Sequence, residues 1–227
     1  MRLFFRLLCR TSLSAVLLLC AYVPASAQTA STASGSRDTA SMRNVLVVGD
    51  SLSAEYGLRR GSGWVPLMAQ RMNEQYPNYR LINASISGDT TSGGVSRIGP
   101  LLEQHKPAIV IIELGGNDAL RGLALDMTQN NLTTMAEQAR KAGAKVMIVG
   151  MQIPPNYGRA YADRFQGLFA TVAKAQNATF VPFLLEGMAT RREWFQADGI
   201  HPNEDAQPTL RDNVWPVLEP MLSKQTG

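Results

Sequence analysis

The sequence predicts an α/β protein: a parallel sheet covered by helices on both faces. Two observations carry this. Short apolar runs rich in β-branched residues, Val45–Val48 and Ala108–Leu114 (AIVIIEL), read as strands buried on both sides. They alternate with segments whose apolar residues recur at helical spacing, the pattern of strand–helix–strand units. In such a sheet a site belongs at the carboxyl ends of the strands.

Each element follows in order. Val45–Val48 is the first strand. Trp64 to Gln75 reads as a helix with Val65, Leu67, Met68 and Met72 as its apolar positions. Arg80–Ile82 is a short strand. Gly94 to His105 is helical and stops before Lys106-Pro107, because a residue preceding proline disfavours the helical conformation. Ala108–Leu114 is the clearest buried strand. Thr128 to Ala142 is a helix with Leu132, Met135 and Ala139 inward and Gly143 as its stop. Lys145–Val149 is a strand, and Ala162 to Gln176 a helix burying Phe165, Leu168, Phe169 and Val172. Thr179–Val181 is a strand ending at Pro182. Ala206 to Leu222 is a closing helix, bent or interrupted at Pro208 and Pro216. Gly61-Ser-Gly63 and Gly93-Gly94 read as turns.

The 227 residues are 45% hydrophobic and 18% charged, which suits one ordinary globular domain and excludes global disorder. The N-terminal segment 1–27 carries Arg2, Arg6 and Arg10, an apolar stretch from Ser12 to Val23, and Ala25-Ser26-Ala27. That is the layout of a secretory signal cleaved before Gln28. The apolar run is too short for a membrane span, so no stable span is expected after cleavage. The three arginines account for most of the +4 net charge, so the rest of the chain is nearly neutral and offers no basic stripe for nucleic acid. Both cysteines, Cys9 and Cys20, leave with the signal; no disulfide or thiol nucleophile is expected. Leu19 stands where lipoprotein processing at Cys20 wants a small residue. Residues 28–43 (QTASTASGSRDTASMR) form a Ser/Thr/Ala-rich flexible leader, and the folded domain spans 44–224.

Gly49-Asp50-Ser51-Leu52-Ser53 follows the first strand directly, so Ser51 is expected at a strand-to-helix turn. A serine hydroxyl needs a base to act as a nucleophile. By itself the tripeptide is also a common loop in which Ser51 or Ser53 caps a helix. The chain has two histidines. His105 reads as a solvated helix end. His201 lies three residues after Asp198, close enough for the carboxylate to turn back onto Nδ1 and orient the ring. Two further loops follow strands. In Ser87-Gly88-Asp89, Gly88 can present a bare N–H to an oxyanion. In Gly116-Asn117-Asp118, Asn117 can donate its side-chain N–H. Asp89 and Asp118 read as loop braces. The chain shows no metal-ligand spacing and no nucleotide-binding glycine pattern, so no metal or other cofactor is expected.

Taken together, Gly49-Asp50-Ser51, Ser87-Gly88-Asp89, Gly116-Asn117-Asp118 and Asp198-Gly-Ile-His201-Pro-Asn203 resemble the four blocks of the SGNH (GDSL) hydrolase superfamily. The phrases GDSLSAEYG (Gly49–Gly57), GNDALRG (Gly116–Gly122), MQIPPNYG (Met151–Gly158) and DGIHPNEDAQP (Asp198–Pro208) are similar to its bacterial periplasmic thioesterase/lysophospholipase/arylesterase subgroup, also known for protease-I-type ester cleavage. At Ile153-Pro154-Pro155 the chain departs from that subgroup, with a loop one residue shorter, which bears on acyl chain length and not on the chemistry.

The resemblance implies a three-layer α/β/α, flavodoxin-like fold with a five-stranded parallel sheet. It implies a serine esterase working through an acyl-serine intermediate, with Ser51, His201 and Asp198 catalytic and the oxyanion held by Ser51, Gly88 and Asn117. Leu120, Leu123 and Leu125, with Met151, Ile153, Pro154 and Tyr157, are the candidates to line an acyl groove. The implied partner is an acyl ester or lipid, met by a monomer in the periplasm or outside the cell. A carbohydrate acetylesterase on the same fold, and a non-catalytic lipid- or glycan-binding module, are the competing readings.

Overall fold

The computed structural model describes residues 42–223. The expected signal segment, Cys9, Cys20 and the leader up to residue 41 lie outside the described residues. Five parallel strands are joined by helices. They are β1 (Arg43–Gly49), β2 (Tyr79–Asn83), β3 (Ile109–Glu113), β4 (Lys145–Val149) and β5 (Thr179–Val181). The helices are α1 (Trp64–Gln75), α2 (Thr91–His105), the short α3 (Gly116–Leu120), α4 (Leu125–Lys141), α5 (Arg159–Ala175) and α6 (Gln207–Leu218). The strand order is β2-β1-β3-β4-β5, the flavodoxin-like order.

This order dictates the layers. The connection from β1 runs outward to β2, and every later connection runs the other way across the sheet. Right-handed crossovers therefore put α1 on one face and α2, α4 and α5 on the other. The packing agrees: α1 meets α6, while α2, α4 and α5 pack in series. β3 is the central strand and all five of its residues are buried, as are Val45 to Gly49 of β1. Such strands cannot alternate apolar with polar residues, which is why both read as continuous apolar runs. Trp64, Tyr79, Phe165 and Phe169 are the largest fully buried side chains. The two phenylalanines meet edge to face with ring centroids 5.1 Å apart, a favourable aromatic geometry.

The structure corrects several sequence expectations. The first strand starts at Arg43, inside the expected leader, and Arg43 pairs with Tyr79. α2 begins at Thr91, with the Thr90 side chain accepting from the Gly93 N–H. Gly93-Gly94 is therefore helix and not turn. A Cβ on Gly94 would stand 2.5 Å from Leu114 Cδ1 and 2.6 Å from Met135 Sδ, so the glycine lets α2 press against buried neighbours. α4 begins at Leu125, which is buried in the core. α5 begins at Arg159. The closing segment is a 3-10 turn (Glu204–Ala206), then α6, then a second 3-10 turn (Glu219–Met221). Pro208 stands in the first turn of α6, where a missing N–H costs nothing. No helix among the described residues is long and apolar enough to cross a membrane.

Gly150 follows β4 under a tight constraint. A Cβ there would lie 2.3 Å from the Pro182 carbonyl oxygen and 3.0 Å from that of Val181. Both are backbone atoms of the adjoining chain, which Gly150 bonds in register: its N–H donates to Val181 O at 2.7 Å and its carbonyl accepts from Leu184 N at 3.0 Å. Gly150→Ala is expected to destabilise the domain by about 3 kcal/mol, the upper end of the usual overpacking cost. A lowered urea midpoint checks this; an unchanged midpoint contradicts it.

Candidate active site

The loops after β1, β3, β4 and β5 converge at the carboxyl edge of the sheet. The strand order reverses between β1 and β3, the place where parallel sheets open a crevice. No helix follows β1 directly. Residues 51–58 form successive turns, with Ala54 N–H on Asp50 O at 2.9 Å and Tyr56 N–H on Ser51 O at 3.3 Å. The sequence placed Ser51 at a strand-to-helix turn, but the first helical residue is Trp64. Ser53 caps nothing. Its buried hydroxyl donates to Glu113 Oε2 at 2.7 Å, tying the turn to the end of β3.

Ser51 Oγ lies 2.9 Å from His201 Nε2, and His201 Nδ1 lies 2.6 Å from Asp198 Oδ2. The Asp198 turn builds this locally. Asp198 Oδ1 accepts the backbone N–H groups of Ile200 at 2.8 Å and His201 at 3.0 Å. Desolvation works against the Asp198 charge, but those two N–H bonds, the imidazole contact and its charge outweigh it and leave the carboxyl at about 2. Asp198 therefore stays ionised and holds the ring with Nε2 toward Ser51. Gln196 braces the loop: its N–H donates to His201 O at 2.8 Å and its Nε2 to Tyr56 O at 2.9 Å. The Tyr56 ring rests 4.5 Å from the imidazole, centroid to centroid.

Asn117, in the first turn of α3, directs Nδ2 at Asp50 Oδ2 (3.0 Å) and at Asp89 O (2.9 Å). Gly88 has a φ of +78°, the left-handed region that suits glycine, and its carbonyl accepts from Arg121 Nη2 at 2.8 Å. Among the described residues, neither the Ser51 nor the Gly88 N–H has an intramolecular acceptor. Asp89 pairs with Arg97 at 2.7 Å, and the fully buried Asp118 accepts from Thr91 N at 2.9 Å and Thr128 Oγ1 at 3.2 Å. Both aspartates brace loops.

A cavity of about 770 Å³ opens beside Ser51 and His201. Leu120, Met151, Ile153, Pro154 and Tyr157 line it, with Asp50 and Asn117 near the serine. Leu123 is not in its wall; its carbonyl is held by the Tyr161 hydroxyl at 3.0 Å. Leu125 is in the core instead. The sequence reading missed Phe183, Leu185, Phe195 and Ile200, which also line the cavity. The run Phe183-Leu184-Leu185, apolar yet outside any strand or helix, was the available signal.

A serine, histidine and aspartate linked in this way at the carboxyl edge of a parallel sheet is the constellation of the serine hydrolases. Comparison with known proteins narrows that class. Residues 47–207 match the GDSL-like Lipase/Acylhydrolase family, and the chain belongs to it. It is 50% identical over 183 residues to Esterase TesA of Pseudomonas aeruginosa, covering 81% of this chain and 91% of that one. It is 37% identical over 179 residues to Thioesterase 1/protease 1/lysophospholipase L1 of Escherichia coli, covering 79% and 85%. The psychrotrophic esterase EstA of Pseudoalteromonas sp., solved in a form inhibited by monoethylphosphonate, superposes with a TM-score of 0.75 at 38% identity, covering 78% and 97%. The chain is thus an ester hydrolase with the five-stranded α/β/α fold of this family.

Beneath the site lies a buried acid pair. Burial pushes Asp50 up to about 6, against bonds from Leu52 N–H and Asn117 and the charge of His201. Burial also pushes Glu113 well above the usual carboxylate range, and the Asp50 charge adds to this. As pH rises, the unfolded chain releases these protons first and the folded chain holds them longer. The pair therefore supports folding below the ordinary carboxylate range and loses that support as pH climbs through the raised values. Wild-type Tm should fall from this source as pH rises from about 4, the ordinary carboxylate value, through about 6, the raised Asp50 value, and Glu113→Gln should flatten the fall. An equally steep fall in the variant contradicts the assignment.

Proposed function

We propose that Ser51 is the nucleophile of this ester hydrolase, His201 its general base and Asp198 the group that orients His201. The linked Ser51–His201–Asp198 geometry at the mouth of an apolar cavity carries the reading. Ser51 Oγ attacks the ester or thioester carbonyl while its proton passes to Nε2. The carbonyl oxygen becomes an oxyanion held by the Ser51 and Gly88 N–H groups and the Asn117 amide. Collapse breaks the bond to the leaving alkoxide or thiolate, which takes the proton from His201. Water, deprotonated by His201, then attacks the acyl-Ser51 ester; the acyl–Oγ bond breaks, Ser51 Oγ takes the proton back from His201, and the acid leaves.

The lining of Leu120, Met151, Ile153, Pro154, Phe183, Leu185 and Ile200 supports an acyl chain as the buried part of the substrate and disfavours a carbohydrate acetylester, whose sugar needs polar partners. Aryl esters, acyl thioesters and lysophospholipids all present such a chain. Segment 1–27 directs export, so the mature enzyme from Gln28 acts in the periplasm or outside the cell and meets lipid or exogenous esters. One chain supplies every group of the proposed site, so a monomer suffices for the chemistry.

The test compares mature protein with Ser51→Ala and Asn117→Ala on p-nitrophenyl esters from acetyl to palmitoyl. Ser51→Ala should abolish turnover at every length, and Asn117→Ala should lower kcat by about 100- to 1000-fold, both with unchanged circular dichroism. Ile153→Ser should shift the optimum away from longer chains. Activity confined to acetyl esters favours the carbohydrate esterase; folded protein with no Ser51-dependent activity overturns the reading.

A further inference from the structure

Asp50 has no role in the mechanism above, yet it touches the machinery on two sides. It is buried, at 3% exposure. Its Oδ1 accepts the Leu52 N–H at 3.0 Å, inside the turn that carries Ser51, and its Oδ2 accepts Asn117 Nδ2 at 3.0 Å. The Asn117 amide also donates to the Asp89 carbonyl at 2.9 Å, so both of its hydrogens have acceptors. Of these two acceptors, Asp50 borders the cavity together with Ser51, Asn117 and His201, and Asp89 does not. The hydrogen an oxyanion can take is therefore the one now aimed at Asp50.

We propose that Asp50 is a positioning residue of the oxyanion site: its carboxylate aims the Asn117 amide hydrogen toward the cavity and holds it there until the substrate oxygen takes it over. This rests on the reading of Asn117 as an oxyanion donor. An asparagine amide turns easily about its last torsion, so one bond to Asp89 leaves its plane underdetermined and the second bond sets it. Asp50 is itself held, because its N–H points at Glu113 Oε2 at 3.4 Å. Both of its carboxylate oxygens face N–H donors, so the ionised form fits the geometry. An asparagine there offers one acceptor oxygen and sets an NH₂ group against the other donor.

The charged groups around Asp50 are Glu113 from β3, Asp89 after β2, His201 after β5, and Arg97 of α2, which grips both Asp89 and the Gly49 carbonyl (3.2 Å). Burial first, and Asp89 after it, hold the Asp50 proton up to about 6, so the positioning form is present above that pH and lost below it. The same negative charge favours the imidazolium that His201 becomes during attack.

The experiment is a double-mutant cycle with wild type, Asp50→Asn, Asn117→Ala and the double variant, measuring kcat and KM on a short p-nitrophenyl ester. Asp50→Asn should lower kcat by about 10- to 100-fold, with KM changed less than about threefold. Added to Asn117→Ala, it should cost less than about threefold, because its target is gone. The acid limb of wild-type kcat should include the loss of a proton from Asp50 near about pH 6, and that of Asp50→Asn should lack this step. Equal losses in both backgrounds, or an unchanged kcat in Asp50→Asn, overturn the proposal. Near-wild-type activity in Asn117→Ala overturns the oxyanion reading and this one with it. Thermal melts confirm folding, and Asp50→Ser runs the same cycle if Asp50→Asn does not fold.

Discussion

Glu113 stands opposite Gly49 in the β1–β3 register, and its buried carboxyl takes the Ser53 hydroxyl at 2.7 Å. That contact fastens the turn after β1 to the end of the central strand. Where the turn sits decides where Ser51 sits, and through it where His201 must reach. A Cβ on Gly49 would come within 2.8 Å of the same Glu113 oxygen, so only glycine lets the two strand ends approach this closely. A buried carboxylic acid is a costly fastener, because desolvation penalises its charge. It is tolerated where its hydroxyl and N–H partners are supplied by the turn it holds.

From that anchor the site grows outward along the sheet edge. The loop after β2 contributes Gly88 and Asp89, α3 after β3 contributes Asn117, and the stretch after β5 contributes Asp198 and His201. The negative charge is graded. Asp198, partly exposed and richly bonded, is held ionised at about 2, while Asp50 is pushed up to about 6 in the protein interior. Carboxyl groups at one site thus hold different protons because their surroundings differ. The cavity is polar where Asp50, Ser51, Asn117 and His201 border it and apolar where Met151, Ile153, Pro154, Phe183 and Leu185 do.

Much of this was legible beforehand for a local reason. Strands buried on both faces cannot alternate, so β1, β3 and β4 declare themselves by composition. The Asp198–His201 pair is also local: three residues separate the groups, and one turn closes the contact. Helix starts were less legible. Gly93-Gly94 has turn chemistry in sequence, and only its contact with Leu114 and Met135 explains why two glycines stand in a helix. The acyl-cavity candidates were read from loops adjoining the Asn117 block and β4. Leu120 and Ile153 do line the cavity, but Leu123 is not in its wall and Leu125 is buried in the core.

The sequence by itself determined the strand–helix alternation, the polar blocks at strand ends and the family to which the chain belongs, because each is written in short-range pattern. The tertiary structure alone decided which of those groups touch. Ser51 and His201 are 150 residues apart in the chain and 2.9 Å apart in space. Asn117 and Asp50, 67 residues apart, share a hydrogen bond. Such contacts depend on strand order and register, which bring remote loops to one edge. No local periodicity encodes them, and so the Tyr56 ring on His201, the Phe183–Leu185 wall and the Asp50–Asn117 bond emerged only with the fold.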